Sequence, residues 1–299
     1  MFGKRHDEHG LSDRALLFEN VENLLTYMPK ERLDLLKGFH IQIYVVSAAC
    51  FACATHRVRL IGVCFRSEDD MARFEPPAAL TDRPSALKDC IDDVYSKRSV
   101  WGTFLFAKQA KLRTHTSKLP GKTIVGRDCE LGIDCITSTY DFFPAVCSAG
   151  QGTFLCIAQE FASVKGKLSK QQEATLLSDA AEQVRKFHPR EIMRAFSWSR
   201  EETEKVASLF QGKQKDYEVP ANTISPNMFE AFAASMLLAL GKTEPHARYK
   251  AKIEALREKG ELPSASEVRS EYKRMKHQTT GVEYWVMKPP GPAAAAAQE

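Results

Sequence analysis

Two apolar runs split by a short charged segment constrain this chain more than any other feature. Ile41 to Thr55 is broken only by Gln42 and Ser47, His56 and Arg57 follow, and Val58 to Phe65 is largely apolar again. The first run is 15 residues long, short of the roughly 18–20 that carry a helix across a bilayer. It therefore reads as buried core. Both runs are rich in β-branched and aromatic residues, so the sequence predicts two buried strands, Ile41–Cys53 and Val58–Phe65, with Thr55-His56-Arg57 near the turn between them.

The rest of the first half is mixed. Leu16, Val21, Leu24 and Leu25 fall at helical spacing after Ser12 or Asp13, and Pro29 opens a short helix that Gly38 stops. Pro84 starts a helix through Tyr95, and further strands are expected at Val100–Phe106, Lys122–Val125, Ile133–Thr139 and Thr153–Ala158. From about Lys165 helical signals take over. Ser169–Gln172 and Ser199–Glu202 have capping-box form, Ser225-Pro226 opens a third helix that Gly241 closes, and a charged helix ends at Gly260. A last helix is expected from Ser264 to about His277, followed by the apolar hook Tyr284–Met287.

The fold class that follows is α+β. A mixed sheet-and-helix region spans 1–163 and contains all eight cysteines, a helical region spans 164–288, and a Pro/Ala-rich tail covers 289–299. A single continuous domain with the same layout also satisfies the length. The start lacks a secretory apolar region, so the setting is expected to be intracellular, cytoplasmic with the nucleus open, and the cysteines free thiols.

Motifs exclude more chemistry than they suggest. Gly121-Lys122-Thr123 and Gly241-Lys242-Thr243 resemble the end of a phosphate-binding loop, but the earlier glycine is missing, since Thr116 and Met236 stand there. Cys50-Phe-Ala-Cys53-Ala-Thr-His56 has no second ligand pair, so core cysteines are expected and no metal site. No G-x-S-x-G, H-E-x-x-H or G-x-G-x-x-G is present. Cys147, before a glycine-rich turn, is the most suggestive thiol nucleophile, with His115 or His56 as its base. No catalytic residue and no cofactor is assigned.

Charge supplies the one positive clue. Between Asp93 and Asp128 there is no acid, while Lys97, Arg98, Lys108, Lys111, Arg113, Lys118, Lys122 and Arg127 stand in that window, in a chain whose net charge is only +4. Tyr95, Trp101, Phe104 and Phe106 are interleaved, but the apolar character of Val100–Phe106 on both faces marks a buried strand and not a stacking platform. A basic loop between two strands suits phosphate contacts. Arg269, Lys273 and Lys276, at i, i+4 and i+7 of the last expected helix, form a second cluster on one face.

The sequence thus points to a non-enzymatic binding or assembly protein contacting nucleic acid or another polyanion through these residues. A viral nucleocapsid, matrix or accessory protein is one form of it, and a homo-oligomer is compatible with it. The alternatives are an enzyme with a cysteine nucleophile (Cys147, or Cys50 and Cys53) and a helical protein–protein adaptor working through 165–287.

Overall fold

The computed structural model describes residues 14–27, 36, 38–82, 84–92, 124–125, 154–156, 171, 184–185, 187–210, 214–265, 268 and 271–287. Its elements, in chain order, are β1 (Ala15–Asn20), α1 (Leu24–Tyr27), β2 (His40–Ser47), β3 (Val58–Phe65), α2 (Glu68–Ala72), β4 (Ile124–Val125), β5 (Phe154–Cys156), β6 (Val184–Arg185), α3 (Pro189–Ala195), α4 (Arg200–Lys205), α5 (Glu218–Asn222), α6 (Pro226–Ala239), α7 (Thr243–Glu258), β7 (Tyr272–Lys276) and β8 (Glu283–Met287). They divide into two compact units. The first comprises Met1–Ser47, Val58–Leu80 and Met228–Gly291, and the second Ala48–Arg57, Thr81–Asn227 and Pro292–Glu299.

Ile41–Ser47 of the first apolar run and the whole of the second form the centre of the first unit. β2 and β3 pair antiparallel from His40↔Phe65 to Ser47↔Val58. They are the inner strands of a five-stranded sheet ordered β1-β3-β2-β8-β7, in which only β2 and β8 run parallel. Alternation of side chains gives the sheet two different faces. On one, Ile43, Val45 and Leu60 join Leu25 of α1 and Val282, with Phe18, Ile41, Tyr284 and Val286 packed around them. On the other, Tyr44 is the hub of an aromatic cluster, its ring 5.9 Å from Phe74, 5.5 Å from Phe232 of α6, 5.4 Å from Tyr272 and 5.7 Å from Trp285. Each fully buried apolar side chain of this kind contributes about 1.5–3 kcal/mol. The cluster explains why a tyrosine and a tryptophan near the C-terminus are drawn onto a sheet built near the N-terminus.

Gly62 of β3 sits under a ring. It pairs with Phe18 of β1, and a Cβ there would stand 2.1 Å from Phe18 Cζ, so no side chain fits while the ring holds its place.

The second unit carries a small sheet, β4-β5-β6, with β4 and β5 parallel and β5 and β6 antiparallel. It also carries the helices α3, α4 and α5. The Ser199 capping box is formed as expected, its hydroxyl accepting from Glu202 N while the Glu202 carboxylate accepts from Ser199 N. His188 plays the same part at α3, with Glu191 reaching back. Gly241 and Gly260, the expected stops of α6 and α7, adopt φ +80° and +73°, a conformation that glycine takes without strain.

Five expectations are corrected. The strand expected over Ile41–Cys53 ends at Ser47, and Ala48–Phe51 form a 3-10 turn. The helical stripe from Leu16 is the strand β1 followed by the single turn α1, because β1 pairs along its whole length with β3, and Phe18 packs on the cluster of Ile43, Val45 and Leu60 while Leu16 stays exposed. The helix from Pro84 to Tyr95 is, within the described residues, a 3-10 turn at Leu87–Cys90 that ends where Ile91 is extended. Val184, within the region 164–288 expected to be helical, lies in β6. The last helix, Ser264 to about His277, is replaced by the hairpin β7–β8, since β8 finds a partner in β2. The α+β class stands, but the five-stranded sheet draws two strands from beyond residue 270, so a sheet region followed by a helical one does not describe it. The boundary near 163 and the tail 289–299 lie outside the described residues.

Candidate functional site

A charged residue inside an apolar strand needs a partner or a purpose. The first unit has two such residues side by side. Glu19 closes the run Ala15-Leu-Leu-Phe18 of β1, and Arg59 interrupts β3. Glu19 lies opposite Ile61, which puts it on the same face as Arg59 one diagonal step away. Their side chains are 16% and 10% exposed, and Arg59 Nε stands 2.7 Å from Glu19 Oε1. The contact is close but off-axis: that oxygen is buried and accepts no aligned hydrogen bond among the described residues. Arg59 Nη1 also donates to Val58 O at 2.7 Å. Beyond Glu19 the strand ends, Asn20 Oδ1 accepting from Val21 N at 2.8 Å. The result is an acceptor and a donor, both stripped of most water, at one end of a rigid sheet.

The second unit holds a different centre. Arg57, 2% exposed, donates through Nη2 to Ala221 O and Thr223 O, each at 2.8 Å, and its guanidinium lies 4.8 Å from the Phe196 ring centroid. Its carbonyl accepts from Ala48 N at 2.9 Å, closing the loop 48–57. Within that loop a 3-10 turn at Ala48–Phe51 and Ala52 at φ +56° fold Cys50 and Cys53 inward. Asn227 ties the loop down, its Nδ2 donating to Phe51 O and its backbone N–H to Ser197 Oγ. Glu191 is fully buried and accepts from Asp92 N at 2.9 Å and His188 N at 2.8 Å. These are structural ties, with donors and acceptors turned on one another.

The described thiols, Cys50, Cys53, Cys64 and Cys90, are free and buried, and burial pushes the thiols of Cys53, Cys64 and Cys90 up to about 12. A nucleophilic thiolate needs the opposite shift, so Cys53 does not fit the cysteine-enzyme alternative, and Cys147 lies outside the described residues. The expectation of core cysteines holds for these four.

Of the basic residues singled out from sequence, Lys97, Arg98, Lys108, Lys111, Arg113, Lys118, Lys122, Arg127 and Arg269 lie outside the described residues. Lys273 and Lys276 are described, and both are exposed on β7. Three residues apart on a strand, they point to opposite faces, so the shared helical face is corrected. Among the described residues no cluster could hold a metal ion, and no helix is long and apolar enough to cross a membrane.

Residues 12–237 match the family described as C-5 cytosine-specific DNA methylase, well over half of the chain's 299 residues. The chain belongs to that family. Solved methylases share the fold. Entamoeba histolytica methyltransferase EhMeth is similar with a TM-score of 0.55 at 18% identity, over 76% of this chain and 63% of that one. Dnmt2 methyltransferase from S. pombe gives 0.50 at 18%, over 76% and 67%, and a Spodoptera frugiperda DNMT2 mutant 0.53 at 14%, over 75% and 66%. The chain thus spans about two thirds of the length of these proteins. No curated protein matches it.

Membership of an enzyme family overturns the expectation of a non-enzymatic binding, assembly or structural protein, viral or otherwise. A nucleic-acid partner, expected from the basic residues, is in keeping with a DNA methylase. Sequence reasoning passed over Glu19 and Arg59. The available signal was a lone charge of each sign inside two strands otherwise apolar enough to be core.

Proposed function

We propose that this chain serves methylation of cytosine in nucleic acid, and that Glu19 and Arg59 hold the base. Enzymes that modify a base take it out of the stack and read its Watson–Crick edge with hydrogen bonds in a snug pocket. The cytosine edge offers an amino donor at N4 and a carbonyl acceptor at O2. The off-axis ion pair supplies the complement: a carboxylate whose buried Oε1 lacks an aligned donor, beside a guanidinium that can only donate. The single observation that carries this reading is that pair in an enzyme family acting on cytosine. Uracil places a carbonyl oxygen where cytosine has its amino group, so the carboxylate would repel it.

Methyl transfer also needs a methyl donor. The sequence has no G-x-G-x-x-G nucleotide loop, and the role drawn for these residues is confined to holding the base. The basic residues Lys97 to Arg127 fit the same reading as phosphate contacts that position the strand.

The test is a binding titration with duplexes carrying one cytosine, or one uracil, opposite an abasic site. Cytosine is expected to bind roughly ten- to a hundredfold tighter, the range of about 1–3 kcal/mol for a good bidentate base contact. Glu19→Gln, whose amide can donate to a carbonyl, should erase that preference while leaving overall affinity near wild type. Equal affinity for the two bases in the wild-type protein would end the assignment of this pair.

A further inference from the structure

The family match ends at residue 237, yet the sheet does not. The hairpin β7–β8 adds two strands to it, β8 pairing with β2 through Tyr44↔Trp285 and Val45↔Val286. Tyr272 anchors the addition from β7, its hydroxyl donating to Pro77 O at 2.8 Å. β7 is the last strand in the sheet order among the described residues, so one of its edges is the outer edge of the sheet. Its sequence, Tyr-Lys-Arg-Met-Lys, holds three cations and no acid, and Lys273 through Lys276 are all exposed. Glu283, opposite Lys276 in register, spends its carboxylate on Arg274. Lys273 and Lys276 form no ion pair among the described residues.

An exposed edge with charged side chains is also what keeps sheets from pairing with one another. Two things favour a ligand over that reading alone. The cations are of one sign along the strand, and the family's reaction brings a polyanion to the protein. Lysines on both sides of an edge, with outward N–H groups between them, suit a phosphodiester backbone running along the strand. Side chains on opposite faces, a poor arrangement for one flat surface, can both reach a backbone that follows the edge.

We infer that the outer edge of β7 is a sequence-independent phosphate contact, added to the methylase fold by the C-terminal hairpin, with Lys273 and Lys276 as its charged donors. This rests on the reading of the chain as a nucleic-acid-binding methylase but concerns a different surface from the base pocket.

The experiment measures binding of the full chain to short mixed-sequence duplex DNA and to its single strand at rising potassium chloride. Wild type, Lys273→Ala/Lys276→Ala and the charge-retaining Lys273→Arg/Lys276→Arg are compared. The alanine pair is expected to weaken binding equally for duplexes of different sequence and to lower the salt slope by about two, about one for each phosphate no longer neutralised. The arginine pair should restore both. Cytosine-over-uracil preference should not change in either variant. A wild-type salt slope that the alanine pair leaves unaltered overturns the β7 contact alone, whereas a wild-type protein that binds no nucleic acid at low salt overturns it together with the proposed function. Circular dichroism melts of the variants, both changed only at exposed positions, confirm that the comparison is between folded proteins.

Discussion

Replacing Gly62 by alanine should disrupt the β1–β3 pairing, and the effect should depend on one ring. An ideal Cβ at Gly62 would meet Phe18 Cζ at 2.1 Å, Cε1 at 2.2 Å and Cε2 at 2.7 Å. Ordinary carbon contacts lie near 3.5–4.0 Å, so the ring must retreat by roughly 1.5 Å. It cannot do so freely, because Phe18 is paired with Gly62 across the strands and packs on the cluster of Leu25, Ile43, Val45, Leu60 and Val282. Overpacking of this kind costs about 1–3 kcal/mol, against a gain of about 0.5–1 kcal/mol from the lower backbone freedom of alanine. The net expectation for Gly62→Ala is a loss of about 1–2 kcal/mol. Phe18→Ala removes a half-buried ring and should cost about 2–3 kcal/mol, less than the 3–5 of a fully buried one. In the Phe18→Ala background, however, Gly62→Ala should be neutral or stabilising by about 0.5 kcal/mol. Urea unfolding of the four proteins, followed by far-UV circular dichroism, closes the cycle, and a coupling of about 1–3 kcal/mol is expected. The same penalty for Gly62→Ala with and without the ring would show that the strand, and not the Phe18 contact, resists the methyl group.

Two further outcomes follow from buried groups. The thiols of Cys53, Cys64 and Cys90, raised by burial to about 12 from a reference of 9.0, ionise in the unfolded chain before they do so in the folded one. Their stabilisation is fully present below about pH 9 and is lost as pH climbs toward 12. Unfolding midpoints should therefore fall over that range, and a Cys64→Ala variant should show a shallower fall; at neutral pH these thiols should react with iodoacetamide far more slowly in the folded protein than in urea. Glu191→Gln keeps the shape of a fully buried side chain that accepts from Asp92 N and His188 N, but it turns one acceptor into a donor facing a backbone N–H. A loss of about 1–3 kcal/mol is expected, and a melting temperature equal to wild type would show that the two N–H groups find other acceptors.

Much of the local structure is legible in the residues themselves. Val58–Phe65 is a strand with the expected bounds, Ser199–Glu202 closes its capping box, and Gly241 and Gly260 stop their helices, because each depends on side chains within a few residues of one another. Tyr272–Lys276 is the opposite case. Its charges at helical spacing follow Ser264-Ala-Ser-Glu267, a good helix start, yet it is a strand, because Trp285 and Tyr272 gain more by packing on Tyr44 than the segment gains from helical hydrogen bonds in water. The same holds for β1, where helical spacing of Leu16, Val21, Leu24 and Leu25 yields to pairing with a strand some forty residues on.

The candidate site shows why function was the harder inference. Eight unopposed cations in one window are conspicuous as a string of letters, whereas Glu19 and Arg59 are one acid and one base on different strands, with α1 and β2 between them in the chain. By itself the sequence determined the apolar strands at the core, the mixed α+β composition and the burial of Cys50, Cys53, Cys64 and Cys90, all properties of composition and short-range periodicity. Only the tertiary structure decided that Glu19 and Arg59 share a face 2.7 Å apart, and that the C-terminal hairpin completes a sheet begun near the N-terminus. The physical reason is common to both: strand pairing is non-local, so the partner of each residue is fixed by register and burial across the fold and not by its neighbours in the chain.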